Sequence, residues 1–153
     1  MYKLLTYPQL IQSTSYDCGV IVTQEALLFC GISVRANKLS RRLGLSKENG
    51  VRVEAIKKEL KRNEIKFDCR EMDYYDLKSF IDEGSPVILV VRNHYVTAIG
   101  YCGMSIITED PYFYDRQELS IEELNAKWRD SDGEVSYDHF GIAILGKWKK
   151  NTF

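Results

Sequence analysis

The stretch Gln12-Ser13-Thr14-Ser15-Tyr16-Asp17-Cys18-Gly19 leads straight into an apolar run, Val20 to Cys30, that Gly31 stops. The transition predicts a loop followed by a helix over 18–30, with Asp17 or Ser15 as its cap. Cys18 then sits in the first turn. The unpaired N–H groups and partial positive charge of a helix N-terminus favour a thiolate there. Gln12, six residues upstream, can lend a side-chain N–H to an oxyanion forming beside the sulfur. This is how a thiol hydrolase is assembled, and the rest of the chain must supply a histidine and a residue to orient it. Asp17 would oppose a thiolate if it faced the sulfur, so its carboxylate is expected to point away.

Outward from that helix, the first half of the chain reads helical and the second half reads as sheet. Helices are predicted over 35–43, ending at Gly44, and over 52–62, where Val53, Ile56 and Leu60 share one face. Alternation over 65–70 suits a strand, and 74–82 a fourth helix with Leu77, Phe80 and Ile81 inward. Val87 to Val91 is an unbroken apolar run, the mark of a strand buried on both faces. Strands are expected over 94–101 and 104–108, joined by a turn at Cys102-Gly103. A helix over 120–128 carries a Ser120/Glu123 capping box, and 140–145 closes the sheet. Helices first and an antiparallel sheet after is an α+β pattern. The 153 residues suit one domain, spanning 1–153.

There are two histidines. His94 opens one strand, and Asp110 follows the end of the next, sixteen residues later. A hairpin sets the start of its first strand beside the end of its second, so the two should be neighbours, as base and orienter. His139 is the rival. Its adjacent Asp138 should diverge from it on a strand, and the only later orienter is Asn151. The spacing therefore selects His94 and leaves His139 as a surface residue at a strand start. Cys30, Cys69 and Cys102 lack the helix-start setting and the upstream glutamine, and read as small buried apolar residues. There is no Cys-x-x-Cys and no histidine pair at ligand spacing, so neither a metal nor another cofactor is implied.

Composition narrows the class further. Net charge is −1, and no apolar run reaches the ~18 residues of a membrane span. Residues 1–9 do not read as an export signal, so the cysteines are expected to be reduced thiols and the chain cytoplasmic. Charge is uneven along the chain. Residues 35–66 hold eleven Lys/Arg against four Glu, and 109–138 ten Asp/Glu against three Lys/Arg. The first reading is of two solvated faces that attract each other. No aromatic interleaves the basic residues from Arg35 to Arg62, which argues against a nucleic-acid partner.

Gln12 ahead of Cys18-Gly19, then Asn93-His94-Tyr95-Val96 and Asp110-Pro111, resembles the bacteriocin-processing peptidases that remove double-glycine leaders. Weaker stations are Asn49-Gly50-Val51 and Asp76-Leu77. The resemblance implies a papain-like fold, with an N-terminal helical half packed on a C-terminal antiparallel sheet. It implies Cys18 as nucleophile, His94 as base, Asp110 as orienter and Gln12 as oxyanion donor. It also implies cleavage after Gly-Gly in a peptide substrate, and a peptide-exporting ABC transporter as partner. Two other classes share these residues: a thiol amidase, deamidase or isopeptidase using the same site, and a leader-binding module without turnover.

Overall fold

The computed structural model describes residues 1–132 and 135–147. Its elements run β1 (Tyr2–Leu4), α1 (Cys18–Phe29), α2 (Ala36–Arg42), α3 (Val53–Arg62), β2 (Ile65–Glu71), α4 (Tyr74–Asp82), β3 (Val87–Val91), β4 (His94–Cys102), β5 (Ser105–Glu109), β6 (Gln117–Ser120), α5 (Ile121–Lys127), β7 (Arg129–Asp132), β8 (Val135–Asp138) and β9 (Phe140–Lys147). Helices α1 and α2 stop just before Gly31 and Gly44, whose φ values of +82° and +66° suit a residue without Cβ. Helix α5 has the Ser120/Glu123 capping box, and α4 has a second one, between Asp73 and Asp76.

One antiparallel sheet runs β2-β9-β3-β4-β5-β6, with β1 also on β4, and β7-β8 form a separate hairpin. Strand β9 does not close the sheet at an edge, as expected from sequence. It lies between β2 and β3, pairing Cys69 with Ile142 on one side and Ile88 with Ile142 on the other. Strand β2, from the helical half, therefore becomes the edge.

The sheet is covered on both faces. Ile88 and Val90 of β3 pack with α1, α2 and α3 through Leu27, Leu39 and Ile56. Val87, Leu89 and Val91 pack on the other face, with Leu77 and Ile81 of α4 and with Leu124 and Trp128. This division explains why 87–91 is apolar without interruption. Burying each such side chain contributes ~1.5–3 kcal/mol. Strands β1, β6, β7 and β8 escape sequence reading because they are only three or four residues long, and β6 and β7 are mostly polar; in β6 only Leu119 is buried. Tyr2 to Leu4 is held by its register against β4, where Leu4 faces Gly100. A Cβ at Gly100 would lie 2.5 Å from the Lys3 carbonyl oxygen.

The β4–β5 hairpin contains a bulge. Gly100 pairs with Ile107, but Ala98 pairs with Thr108, so Ile99 is an extra residue. Continued without it, the outer register would set Asp110 opposite Thr97, three residues from His94 and on the other face of β4. The bulge moves the end of β5 one position toward His94, because strand side chains alternate with period two.

Candidate active site

Cys18 is the first residue of α1 and is nearly buried. Neither expected cap is present as a side-chain cap. Asp17 holds the N-cap position, but its carboxylate makes no cap bond. It turns back into the preceding loop, accepting from Ser13 N at 2.9 Å, Thr14 N at 3.0 Å and Thr14 Oγ1 at 2.9 Å. The loop thus gains its shape, and the first-turn N–H groups of α1 keep no side-chain acceptor. Gly19 explains the close seat of this helix. A Cβ there would meet Val51 Cβ at 2.6 Å and the Tyr95 ring at 3.1 Å. Tyr95 holds the same loop through its hydroxyl, which donates to Val51 O at 2.7 Å.

His94 opens β4 after the Arg92-Asn93 turn, where Asn93 takes φ +55°, a value its short polar side chain tolerates. Its Nε2 lies 2.5 Å from Asp110 Oδ1. Cys18 lines the same cavity as the ring and acts on its protonation. Nε2 faces Asp110, so Nδ1 is the nitrogen left for the sulfur. Burial alone would lower the His94 pKa, but the interactions with Asp110 and Cys18 raise it, to about 9. An imidazolium between a carboxylate and a thiolate is stabilised by both.

Asp110 is buried and sits just past β5. Its Oδ1 also accepts from Tyr112 N at 2.9 Å, and its carbonyl accepts from Phe113 N at 3.0 Å. The Asp110-Pro111 turn is tied to the loop before Cys18, since Gln12 N donates to Pro111 O at 2.9 Å. The Gln12 side chain donates one Nε2–H to Thr14 O at 2.6 Å, leaving its second N–H. Its Oε1 is buried without a partner among the described residues.

Cys18 and His94 line a cavity of about 280 Å³ whose walls include Tyr16, Asn49, Gly50 and Tyr137. Gln12 and Asp110 are not among its lining residues. Asp110 instead contacts His94, and the Gln12 side chain contacts Thr14 within its own loop.

His139 differs from its expectation in one respect. Asp138 does not diverge from it: Oδ1 is 2.8 Å from His139 Nδ1. The cause is a φ of +52° at His139, which breaks the strand between β8 and β9 and folds the two side chains together. Its Nε2 meets Asn125 Oδ1 at 3.1 Å and its ring packs on Trp128. Asn151, its other possible orienter, lies outside the described residues. The remaining cysteines form no disulfide. Cys30 and Cys69 are half-buried, and burial pushes the Cys69 thiol up. Cys102 departs from the expected buried setting and is exposed, because it is the last residue of β4 beside the turn. Among the described residues, no cluster of His, Cys, Asp or Glu could hold a metal ion, and no helix is long and apolar enough to cross a membrane.

Sequence reading missed the ground behind Asp110. Glu25 is fully buried, with Oε2 accepting from Leu10 N at 3.0 Å and Oε1 unpaired. Burial pushes its pKa up to about 9. Burial also raises Glu109, to about 7, against the opposing pull of Arg116. The buried Tyr7 hydroxyl beside them is pushed well above its usual range, chiefly by burial. A glutamate inside the apolar run of α1 was the available signal.

A helix-borne cysteine facing a strand-borne histidine and its carboxylate, across helical and sheet halves, defines a papain-like thiol hydrolase arrangement. The profile of the peptidase C39 family matches residues 6–131. The chain belongs to that family and is a cysteine peptidase. Solved structures agree in fold. The peptidase domain of Streptococcus ComA, a bi-functional ABC transporter involved in quorum sensing, aligns with TM-score 0.76 at 19% identity, over 93% of this chain and 100% of that one. A double glycine motif protease from an AMS/PCAT transporter, solved with its leader peptide, gives 0.73 at 16%, over 93% and 94%. A putative C39-like peptidase from Bacillus anthracis gives 0.73 at 16%, over 97% and 100%. At these identities the likeness concerns the fold. No curated protein matches the chain in sequence.

Proposed function

We propose that this chain hydrolyses the peptide bond after a Gly-Gly pair in a leader peptide, with Cys18 as nucleophile, His94 as general base and acid, Asp110 as its orienter and Gln12 as an oxyanion donor. The observation that carries the reading is the His94 ring 2.5 Å from Asp110 and sharing one cavity with Cys18. Cys18 and His94 form the thiolate–imidazolium pair. The thiolate attacks the scissile carbonyl. The oxyanion is met by the Cys18 backbone N–H, which no side-chain cap occupies, and by the second N–H of Gln12. His94 protonates the leaving amine, and water then hydrolyses the thioester with His94 as base. Asp110 keeps Nε2 bonded and so turns Nδ1 toward the sulfur.

The cavity around Cys18, of about 280 Å³, suits small residues before the bond. The double-glycine specificity of the AMS/PCAT protease and the transporter setting of ComA support the substrate and partner. On this reading the chain is one peptidase domain acting in the cytoplasm beside a peptide-exporting ABC transporter. The test is incubation with a Gly-Gly leader peptide and mass spectrometry of the products. A new terminus after Gly-Gly is expected, and is lost in Cys18→Ala. An intact peptide with Cys18 still labelled by an electrophile would move the assignment to an amidase, deamidase or isopeptidase.

A further inference from the structure

A second cavity, of about 630 Å³, lies between α2 and α3. Arg41, Arg42, Arg52, Lys58 and Arg62 line it, against Glu54 and Glu59. The two carboxylates do not neutralise this wall. Glu59, buried, offsets only Arg42 of the five, and Glu54 lies 3.1 Å from Lys57, which is not among the lining residues. Arg41, Lys58 and Arg62 have no ion pair or side-chain hydrogen bond among the described residues. Cations on a solvated convex face are screened individually. Cations around a concave wall sum their potential and concentrate an anionic ligand.

The position of the cavity says which ligand. Asn49 and Gly50, in the loop between α2 and α3, line both this cavity and the one that holds Cys18 and His94. A peptide lying extended from the sulfur across Asn49-Gly50 therefore runs into the basic wall. We propose that the α2–α3 cavity is a secondary substrate-binding site for an acidic segment flanking the scissile bond. The proposal rests on the peptidase reading above and adds the charge of the substrate to it. Arginine forks bind carboxylates in two-point contacts, so acidic side chains on the peptide raise affinity and encounter rate, in a salt-dependent way.

The test uses the full chain with Cys18→Ala, so that peptide stays intact, and fluorescent Gly-Gly peptides with glutamates in either flank or glutamines in their place. Fluorescence anisotropy at low salt should show a glutamate peptide binding roughly tenfold tighter than its glutamine twin. The preference should shrink in high salt and vanish in R41Q/R62Q, whose two exposed substitutions leave the core untouched. Equal binding of the twins, or a preference that survives R41Q/R62Q, overturns the proposal. Charge-dependent self-association in sedimentation, without a peptide preference, would give the cavity to a second copy of the chain and also overturn it. Turnover of the glutamine twin by the unsubstituted enzyme reads the Gly-Gly assignment separately. A preference without turnover would uphold the cavity and sink that assignment, and turnover without a preference would do the reverse.

Discussion

Both histidines of this protein are paired with an aspartate, at 2.5 Å for His94–Asp110 and 2.8 Å for His139–Asp138. The pairs differ in what surrounds them. The Asp110 side chain is 12% exposed and that of Asp138 67%. Asp110 reaches His94 from just past the end of the neighbouring strand, whereas Asp138 is its histidine's chain neighbour. The second ring nitrogen of His94 is left for a cysteine, while that of His139 meets Asn125. A histidine–aspartate contact is therefore not a site by itself. Low exposure strengthens the interaction, a partner distant in sequence fixes the ring, and a nucleophile must take the other nitrogen.

The strongest way to break the comparison is to remove the groups unique to one pair. Cys18→Ala and His94→Ala should each lower kcat/KM by ~10⁴-fold or more. Circular dichroism should show an unchanged fold. Retained turnover in either variant would dissolve the distinction.

Asp110→Asn should cost roughly 10³-fold and change the pH profile. His94 stays charged up to about 9 in the parent. Losing the carboxylate lowers that value, so the alkaline limb of kcat/KM should move toward neutral pH. An unmoved limb would mean that Asp110 does not act on the ring.

Gln12→Ala should lower kcat by about 10²-fold with little change in KM, as for a donor that acts only in the transition state. A rise in KM alone would make Gln12 a substrate contact.

The buried ground behind Asp110 can be tested through stability. Glu25 titrates near 4.5 when unfolded and near 9 in the fold. Between those values the folded state holds a proton that the unfolded state has released, so stability falls as pH rises through that window. Glu25→Gln removes the titration and keeps an acceptor for Leu10 N. Denaturation midpoints should favour the variant more at about pH 8 than at about pH 5. A parallel shift at both values would mean that Glu25 ionises normally.

The smallest effect is expected at the other pair. His139→Asn keeps a residue that tolerates φ +52° and should change activity by less than about twofold. The lost ring packing and exposed pair should cost less than ~1.5 kcal/mol in chemical denaturation. A loss of turnover comparable to His94→Ala would reverse the assignment of the base.

The parts of this protein legible in its sequence are those decided by neighbours a few residues apart. Cys18 at a helix start, Gly31 and Gly44 as helix stops, the Ser120/Glu123 box and the apolar run 87–91 all follow from local period and backbone preference. The neighbourhood of His94 and Asp110 also follows, because a tight hairpin constrains its own ends. Other features depend on contacts between distant segments. The Ile99 bulge, the insertion of β9 between β2 and β3, and the turn of Asp17 into the 13–14 loop were decided by tertiary structure. So were the left-handed backbone at His139 and the Asn49-Gly50 wall shared by two cavities. Backbone register and burial are settled by which strands and loops meet, and a single extra residue in one strand reverses the face that every later side chain takes.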